Sequence, residues 1–128
     1  MSEMSNYLEN ALINGTLRAT SYTAPTTVYV ALYTTDPTDA DTGTEVTGGS
    51  YARQSVTFAS PSNGVTTNSA DITFPTATAA QGTVTHMGLR DAVTAGNLLY
   101  HTPLDASKTI DLGDIFKITT GNLSVTLA

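Results

Sequence analysis

From Pro25 onward, hydrophobic and polar residues alternate with a period of two, and this alternation restricts the fold more than any other feature of the sequence. Such alternation is typical of β-strands, because successive side chains of a strand point to opposite faces. In residues 27–34 both faces are apolar: one carries Val28, Val30 and Leu32, and the other carries Tyr29, Ala31 and Tyr33. We therefore expect this strand to be covered on both sides, in the centre of a sheet or at an interface.

Further strands are predicted at intervals of roughly 8 to 15 residues, separated by turns rich in Gly, Pro and Asn. They cover residues 51–58, 65–74, 83–89, 98–102, 108–111 with 115–118, and 123–127. No helices alternate with these strands, so a parallel sheet is not expected. The pattern predicts an all-β fold, an antiparallel β-sandwich or jelly-roll-like single domain that spans residues 1–128, with its strands within about 27–127.

One short α-helix is predicted before the strands, at about residues 6–14. Asn6 and Glu9 match a capping box, and Gly15 stands where a left-handed stop is expected. The apolar stripe of the helix consists of Tyr7, Leu8 and Leu12. A helix of two or three turns is marginal in isolation. Its stripe therefore docks either on one end of its own domain or on a neighbouring subunit.

Composition supports β structure and excludes several classes of function. The 128 residues include 25 Thr, which is β-branched and favours strands, while charged residues make up 12% against about 25% in a typical domain. With no Cys, a net charge of −6 and only 5 Lys and Arg, the chain is not expected to form disulfides or to bind nucleic acid. We also expect neither a membrane span nor a secretory signal.

Residues 36–45 contain the densest group of carboxylates: Asp36, Asp39, Asp41 and Glu45. Such a segment could be a calcium loop or a solvated acidic loop between two strands. The spacing does not match an EF-hand, and Asp residues favour turns in any case, so we expect the solvated loop.

Other candidates for chemistry are few. His86 and His101 lie in predicted strands, and we expect each to pack there with one ring nitrogen hydrogen-bonded. The sequence contains neither the G-x-S-x-G motif that positions a catalytic serine nor the G-x-x-x-x-G-K-[ST] motif of phosphate-binding loops. We expect no enzyme activity and assign no catalytic, cofactor-binding or metal-binding residues.

Several aromatic residues favour contact with other protein chains. Tyr51 and Arg53 follow a Gly-Gly turn, and Tyr and Arg are enriched at interfaces. Tyr29 and Tyr33 offer a large contact area at low entropic cost. Together with the helix stripe, the interface candidates are Tyr7, Leu8, Leu12, Tyr29, Tyr33, Tyr51 and Arg53. The low charge suits closely packed copies, and we expect a homotrimer.

The inward-facing strand positions predict most of the hydrophobic core. These residues are Val28, Val30, Leu32, Val56, Phe58, Ile72, Phe74, Leu99, Ile118, Leu123 and Val125.

Five segments carry a distinctive combination of residues: 22–38 (YTAPTTVYVALYTTDPT), 48–53 (GGSYAR), 72–78 (ITFPTAT), 84–91 (VTHMGLRD) and 96–100 (GNLLY). As a set they resemble a group of small virion structural proteins of tailed bacteriophages, commonly labelled tail-fibre-like or minor tail proteins. The resemblance covers most of the chain. It implies a β-sandwich with a non-catalytic structural role, and it supplies no catalytic or metal residues.

Two functions follow from this resemblance. We expect a capsid cement or decoration protein that stabilises the shell, since a compact chain can bridge several shell subunits. The alternative is a tail-fibre or tail-tip component involved in host receptor binding. A complete fibre is not expected, because the chain has no repeats or heptads. The expected partners are other copies of the chain and the major capsid protein or other virion proteins, in a virion assembled in the host cytoplasm.

Overall fold

The computed structural model describes residues 2–127. Its elements in chain order are β1 (Glu3–Met4), α1 (Asn6–Leu17), β2 (Val28–Tyr33), β3 (Gln54–Val56), β4 (Val65–Thr67), β5 (Ile72–Thr73), β6 (Gly82–Arg90), β7 (Leu98–Ile110), β8 (Lys117–Ile118) and β9 (Ser124–Thr126). The strands form one sheet of order β1-β7-β6-β2-β3 and two small sheets, β4-β9 and β5-β8. All pairs are antiparallel. The prediction of an all-β fold with one short N-terminal helix is confirmed.

The hydrophobic core lies between the five-stranded sheet and the two small sheets. Its buried side chains come from both layers: Val30, Leu32, Val46, Val56, Ile72, Phe74, Ala77, Val84, Leu89, Ile110, Ile118, Leu123 and Val125. The Phe74 ring contacts the rings of Tyr51 and Phe116, at centroid distances of 6.1 and 5.7 Å. Of the other predicted core residues, Leu99 is buried, and Val28 and Phe58 are half-buried against the core.

The other face of the five-stranded sheet, which we call the second face, is also covered. Ala31, Gly88 and His101 lie opposite one another in β2, β6 and β7 and therefore share this face. Because Gly88 has no side chain, Leu98 and Tyr33 pack directly against its backbone. A Cβ atom at Gly88 would lie only 2.7 Å from Leu98 Cδ1 and 3.0 Å from Tyr33 Cε2. Strand β2 is therefore covered on both sides inside a sheet, as its two apolar faces predict.

The helix begins with a cap that differs from the predicted one. Ser5 is the N-cap: its Oγ accepts a hydrogen bond from the Leu8 N–H at 3.2 Å, and its hydroxyl donates to the Leu98 carbonyl. The predicted capping box of Asn6 and Glu9 is wrong, because the cap lies one residue earlier and places Leu8 at the third helical position.

The helix also ends later than predicted. It passes through Gly15 to Leu17, and the left-handed residue that follows is Ala19, with φ 52°. Helix α1 packs on β7, and Leu8 is the buried residue of its stripe. Its 12 residues are fewer than the roughly 20 that a membrane-spanning helix needs.

Several strand boundaries differ from the predictions: the predicted strand 51–58 is shortened to β3 and the predicted segment 115–118 to β8. The sequence pattern does not predict β1, which is only two residues long. Strand β7 joins the predicted segments 98–102 and 108–111, and residues 104–107 form a bulge opposite a single residue of β6. The predicted strand 65–74 divides into β4 and β5 at the buried Asn68, whose side chain hydrogen-bonds to backbone groups of neighbouring segments.

Candidate functional site

The segment of residues 36–45, which we call the acidic loop, leaves β2 and returns to the same strand. The Thr34 N–H donates to the Thr44 carbonyl, and the Val46 N–H donates to the Leu32 carbonyl, both at 2.9 Å. The two ends of the loop are therefore paired as in a hairpin. This pairing places Asp41 beside Arg90 and Glu45 beside Arg53.

Arg90, at the end of β6, holds the acidic loop. Its Nη1 and Nη2 donate to Asp41 Oδ1 and Oδ2, both at 2.8 Å, and Nη1 also donates to the Tyr33 hydroxyl at 2.9 Å. Burial alone would lower the pKa of the Arg90 guanidinium, but the hydrogen bonds to Asp41 and Tyr33 outweigh it and the pKa is raised. Burial raises the pKa of the Tyr33 phenol. Arg90 therefore stays charged and Tyr33 stays neutral.

Arg53 forms the equivalent pair with Glu45. Its Nε and Nη2 donate to Glu45 Oε2 and Oε1 at 2.8 and 2.7 Å. The Tyr51 hydroxyl donates to Glu45 Oε2 at 2.7 Å and accepts the Leu32 N–H at 3.0 Å. Burial alone would raise the pKa of the Glu45 carboxyl, but the hydrogen bonds from Arg53 and Tyr51 outweigh it and the pKa is lowered. Glu45 is therefore an ionised acceptor at neutral pH.

The two guanidiniums also fix the connection between β6 and β7. Arg53 Nη1 donates to the carbonyls of Ala92 and Ala95, both at 2.8 Å, and Arg90 Nη2 donates to the Gly96 carbonyl at 2.9 Å. We call the following set the arginine network: Arg53, Arg90, Asp41, Glu45, Tyr33 and Tyr51. Its donors and acceptors satisfy one another, so the arrangement is suited to holding loops in place.

His101 is the centre of a second polar group. Its side chain is 3% exposed, and its Nε2 lies 2.7 Å from Asp39 Oδ1 and 3.8 Å from Glu3 Oε2. Its Nδ1 lies 3.9 Å from Asp36 Oδ1. One ligand atom from each of Glu3, Asp39 and His101 lies within 4.8 Å of the others. We call these three residues the His101 cluster, and their donor atoms are of the kinds that hold metal ions.

His86 lies at the edge of this region without belonging to the cluster. Its Nδ1 is 2.8 Å from the Thr85 hydroxyl, and its Nε2 is 3.9 Å from Asp36 Oδ2. Each histidine thus has one ring nitrogen within hydrogen-bond distance of a side chain, Thr85 for His86 and Asp39 for His101, as predicted.

Four of the predicted interface residues lie inside the chain's own fold. Leu8 is 4% exposed and Tyr33 is 1% exposed. Tyr51 and Arg53 are half-buried in the arginine network. The physical reasons differ: Leu8 lies on the helix that packs on β7, and Tyr33 bonds to Arg90 beneath the acidic loop. Tyr51 and Arg53 both donate to Glu45, and Tyr51 also stacks on Phe74. Their part in a contact with another chain stays a prediction.

The remaining predicted interface residues present surface outward. Tyr7 is 41% exposed, and Leu12 and Tyr29 are partly exposed. On the same helix, the side chains of Ile13 and Leu17 are also exposed, the latter at 78%. Apolar side chains on an exposed helix face are a common feature of interaction surfaces.

The sequence predicts a solvated acidic loop and not the pairing of Asp41 and Glu45 with Arg90 and Arg53. Glu45 lies eight residues before Arg53, and Asp41 lies 49 residues before Arg90. One signal was available: Arg90 ends an apolar strand directly after Leu89, and a buried arginine needs an anionic partner. The sequence does not say which carboxylate supplies it.

An open groove of about 650 Å³ runs between β7 and residues 116–124. Its apolar lining comes from Met87, Leu104 and Phe116, which also pack against the core. Lys108 and Lys117 line it as well. The two layers of the fold separate along this groove, so the core is only partly covered there.

A family model described as Podophage GP4 fiber I protein gp80 matches residues 3–126. The matched region contains both the arginine network and the His101 cluster. No curated protein matches the chain closely enough to count as a relative.

Proposed function

This chain belongs to the family described as Podophage GP4 fiber I protein gp80, and from that membership we propose that it is a tail-fibre subunit through which a tailed phage contacts its host. It is a structural protein of the phage virion. The observation that carries the proposal is the match over residues 3–126, which spans all the helices and strands found in residues 2–127. The capsid cement function is the weaker candidate, because the family description names a fibre.

The chemistry of the fold supports a structural, non-catalytic role. Hydroxyl groups pair with one another across the surface, as between Thr83 and Thr109 at 3.0 Å and between Ser50 and Thr78 at 2.8 Å. The arginine network fixes the loops from inside. A fibre subunit without disulfides must keep its shape through such contacts, because the chain has no Cys.

As a member of a phage fibre family, the subunit associates with other virion proteins. We propose that it forms a homotrimer through the exposed face of α1, where Tyr7, Ile13 and Leu17 present apolar surface. Replacing Leu17 with Asp should convert the oligomer to monomer in size-exclusion chromatography with light scattering. Val93→Asp is the matched control, because Val93 is also exposed but lies in the β6–β7 connection. Equal behaviour of both variants would contradict the helix contact.

The fibre role is tested by locating and counting the protein on purified virions. Immunogold labelling should mark the tail, and quantitative mass spectrometry should find a small number of copies per particle. Hundreds of copies on the head would instead identify a cement protein. In addition, recombinant protein should bind host cells or reduce infection by competing for the receptor, and failure of both would contradict a role in host contact.

A further inference from the structure

We propose that the His101 cluster is a binding site for a divalent transition-metal ion, with Zn²⁺ as the probe. This inference goes beyond the fibre role and does not depend on it. The donor atoms are His101 Nε2, Asp39 Oδ1 and Glu3 Oε2. One imidazole nitrogen and two carboxylate oxygens form a donor set that zinc accepts. The sequence alone predicts no metal site, because nothing in it places a carboxylate beside either histidine.

The distances fit a shared ion. Zinc binds nitrogen and oxygen at about 2.0–2.2 Å, so two donors of a tetrahedral site lie about 3.3 Å apart. The observed separations from His101 Nε2 are 2.7 Å to Asp39 and 3.8 Å to Glu3, on either side of that value. Both carboxylates are largely exposed and can adjust. Three protein ligands also leave one coordination position for water.

The three residues are held together by backbone contacts. Glu3 and His101 are direct partners in the β1–β7 ladder. The Asn6 N–H donates to the Asp39 carbonyl at 2.8 Å, which fixes the acidic loop beside the start of α1. The His101 ring is buried within β7. Three separate segments therefore present their donors to one point before any ion binds.

The charges around His101 favour a cation. Within residues 2–127, the carboxylates of Glu3, Asp36 and Asp39 each have an oxygen within 4 Å of a ring nitrogen of His101. The other carboxylates of the acidic loop, Asp41 and Glu45, are each paired with an arginine instead. The Nε2 of this buried ring therefore faces two carboxylates that none of the described arginines neutralises, and their negative charge attracts a cation to this point.

Asp36 is a carboxylate near the other ring nitrogen of His101, although it is too far away for a hydrogen bond. It lies 3.9 Å from His101 Nδ1, on the opposite side of the ring from the donors Glu3 and Asp39. Metal-bound histidines commonly direct their other ring nitrogen at a carboxylate, which fixes the tautomer and orients the ring. A bound ion at Nε2 would thereby tie β1 and the acidic loop to β7.

The test uses tag-free protein that has been stripped with EDTA and then titrated with ZnCl₂. Calorimetry should show one ion per chain, and a saturating ion should raise the Tm by about 5–10 °C. MgCl₂ should produce neither effect. In NMR spectra, the imidazole signals of His101 should shift on addition of zinc. Absence of binding to the wild-type protein at micromolar ZnCl₂ would overturn the proposal.

Variants separate this site from nonspecific zinc binding. His101→Gln and Asp39→Asn should abolish the Tm increase. His86→Gln is the matched control, since it removes the other histidine but no donor atom, and it should bind zinc as the wild type does. Glu3→Gln changes an exposed side chain and should keep the fold while weakening the affinity about 10-fold or more. Equal affinity of Glu3→Gln and wild type, or loss of binding in His86→Gln, would contradict the three-donor site.

Discussion

Arg90 and Asp41 form a bidentate ion pair, with both N–O distances 2.8 Å, although 49 residues separate them in the chain. The planar guanidinium matches the carboxylate with two parallel hydrogen bonds, which fixes the orientation of both groups. The Arg90 side chain is 8% exposed. Asp41 therefore supplies the charge that makes the burial of Arg90 tolerable, and Arg90 in turn fixes the acidic loop to the sheet.

Replacing Arg90 with Met should lower the free energy of unfolding by about 2–4 kcal/mol, because Asp41 and Tyr33 lose their partner. Urea denaturation followed by circular dichroism measures this change. Arg18→Met is the matched control at the exposed end of α1 and should change stability by no more than about 0.5 kcal/mol. Equal effects of the two substitutions would contradict a structural role for the Arg90 pair.

Tyr51→Phe should cost about 1–3 kcal/mol, because the change leaves the Leu32 N–H without its acceptor and removes one donor from Glu45. The aromatic packing on Phe74 is retained, so the loss reports on the hydroxyl. Tyr7→Phe removes an exposed hydroxyl and should have almost no effect. Chemical denaturation of both variants provides the measurement, and an unchanged midpoint for Tyr51→Phe would show that the hydroxyl is not needed.

Phe74→Ala should lower the free energy of unfolding by about 3–5 kcal/mol, because it opens a cavity between the two layers of the core. The Phe74 side chain is 4% exposed, whereas that of Phe116 is half-buried. Phe116→Ala should therefore have a smaller effect in the same denaturation experiment. A loss of less than about 1 kcal/mol for Phe74→Ala would place this ring outside the core.

The lowered pKa of Glu45 predicts a specific loss of stability in acid. The pKa in the folded protein lies below the unfolded value of about 4.3, so the pair stabilises the fold fully above that value. This contribution disappears as the pH falls through the folded pKa. Denaturation between about pH 6 and pH 3 should therefore show a steeper decline for the wild type than for Glu45→Gln. Identical slopes would show that Glu45 does not titrate as described.

Local patterns in the sequence predict most of the core, but they miss Val46, Ala77, Val84, Leu89 and Ile110. Val30 and Leu32 lie on one face of β2 because a strand alternates, and the turn residues around the strands supply the antiparallel connections. The same alternation shows that Tyr33 points to the second face. It does not show that Arg90 and the acidic loop cover Tyr33 there, because that contact depends on two segments far apart in the chain.

The errors at the helix and at β1 have a related cause. Ser5 and Asn6 are both good cap residues, and tertiary contact decides between them, because the Ser5 hydroxyl also bonds to Leu98 in the sheet. Strand β1 has two residues, too few to show any period, and exists because β7 offers a free edge. The His101 cluster depends on β1, so the sequence pattern alone could not reveal it.

Two of the five cationic side chains, Arg53 and Arg90, are enclosed by the fold. The exterior is therefore dominated by anions, and neighbouring copies or a negatively charged bacterial envelope would meet a body of like sign. Dissolved salts screen such repulsion over about 10 Å at 0.1 M. If the proposed contact with the host holds, the rate of attachment to host cells should rise with ionic strength, because salt weakens this repulsion.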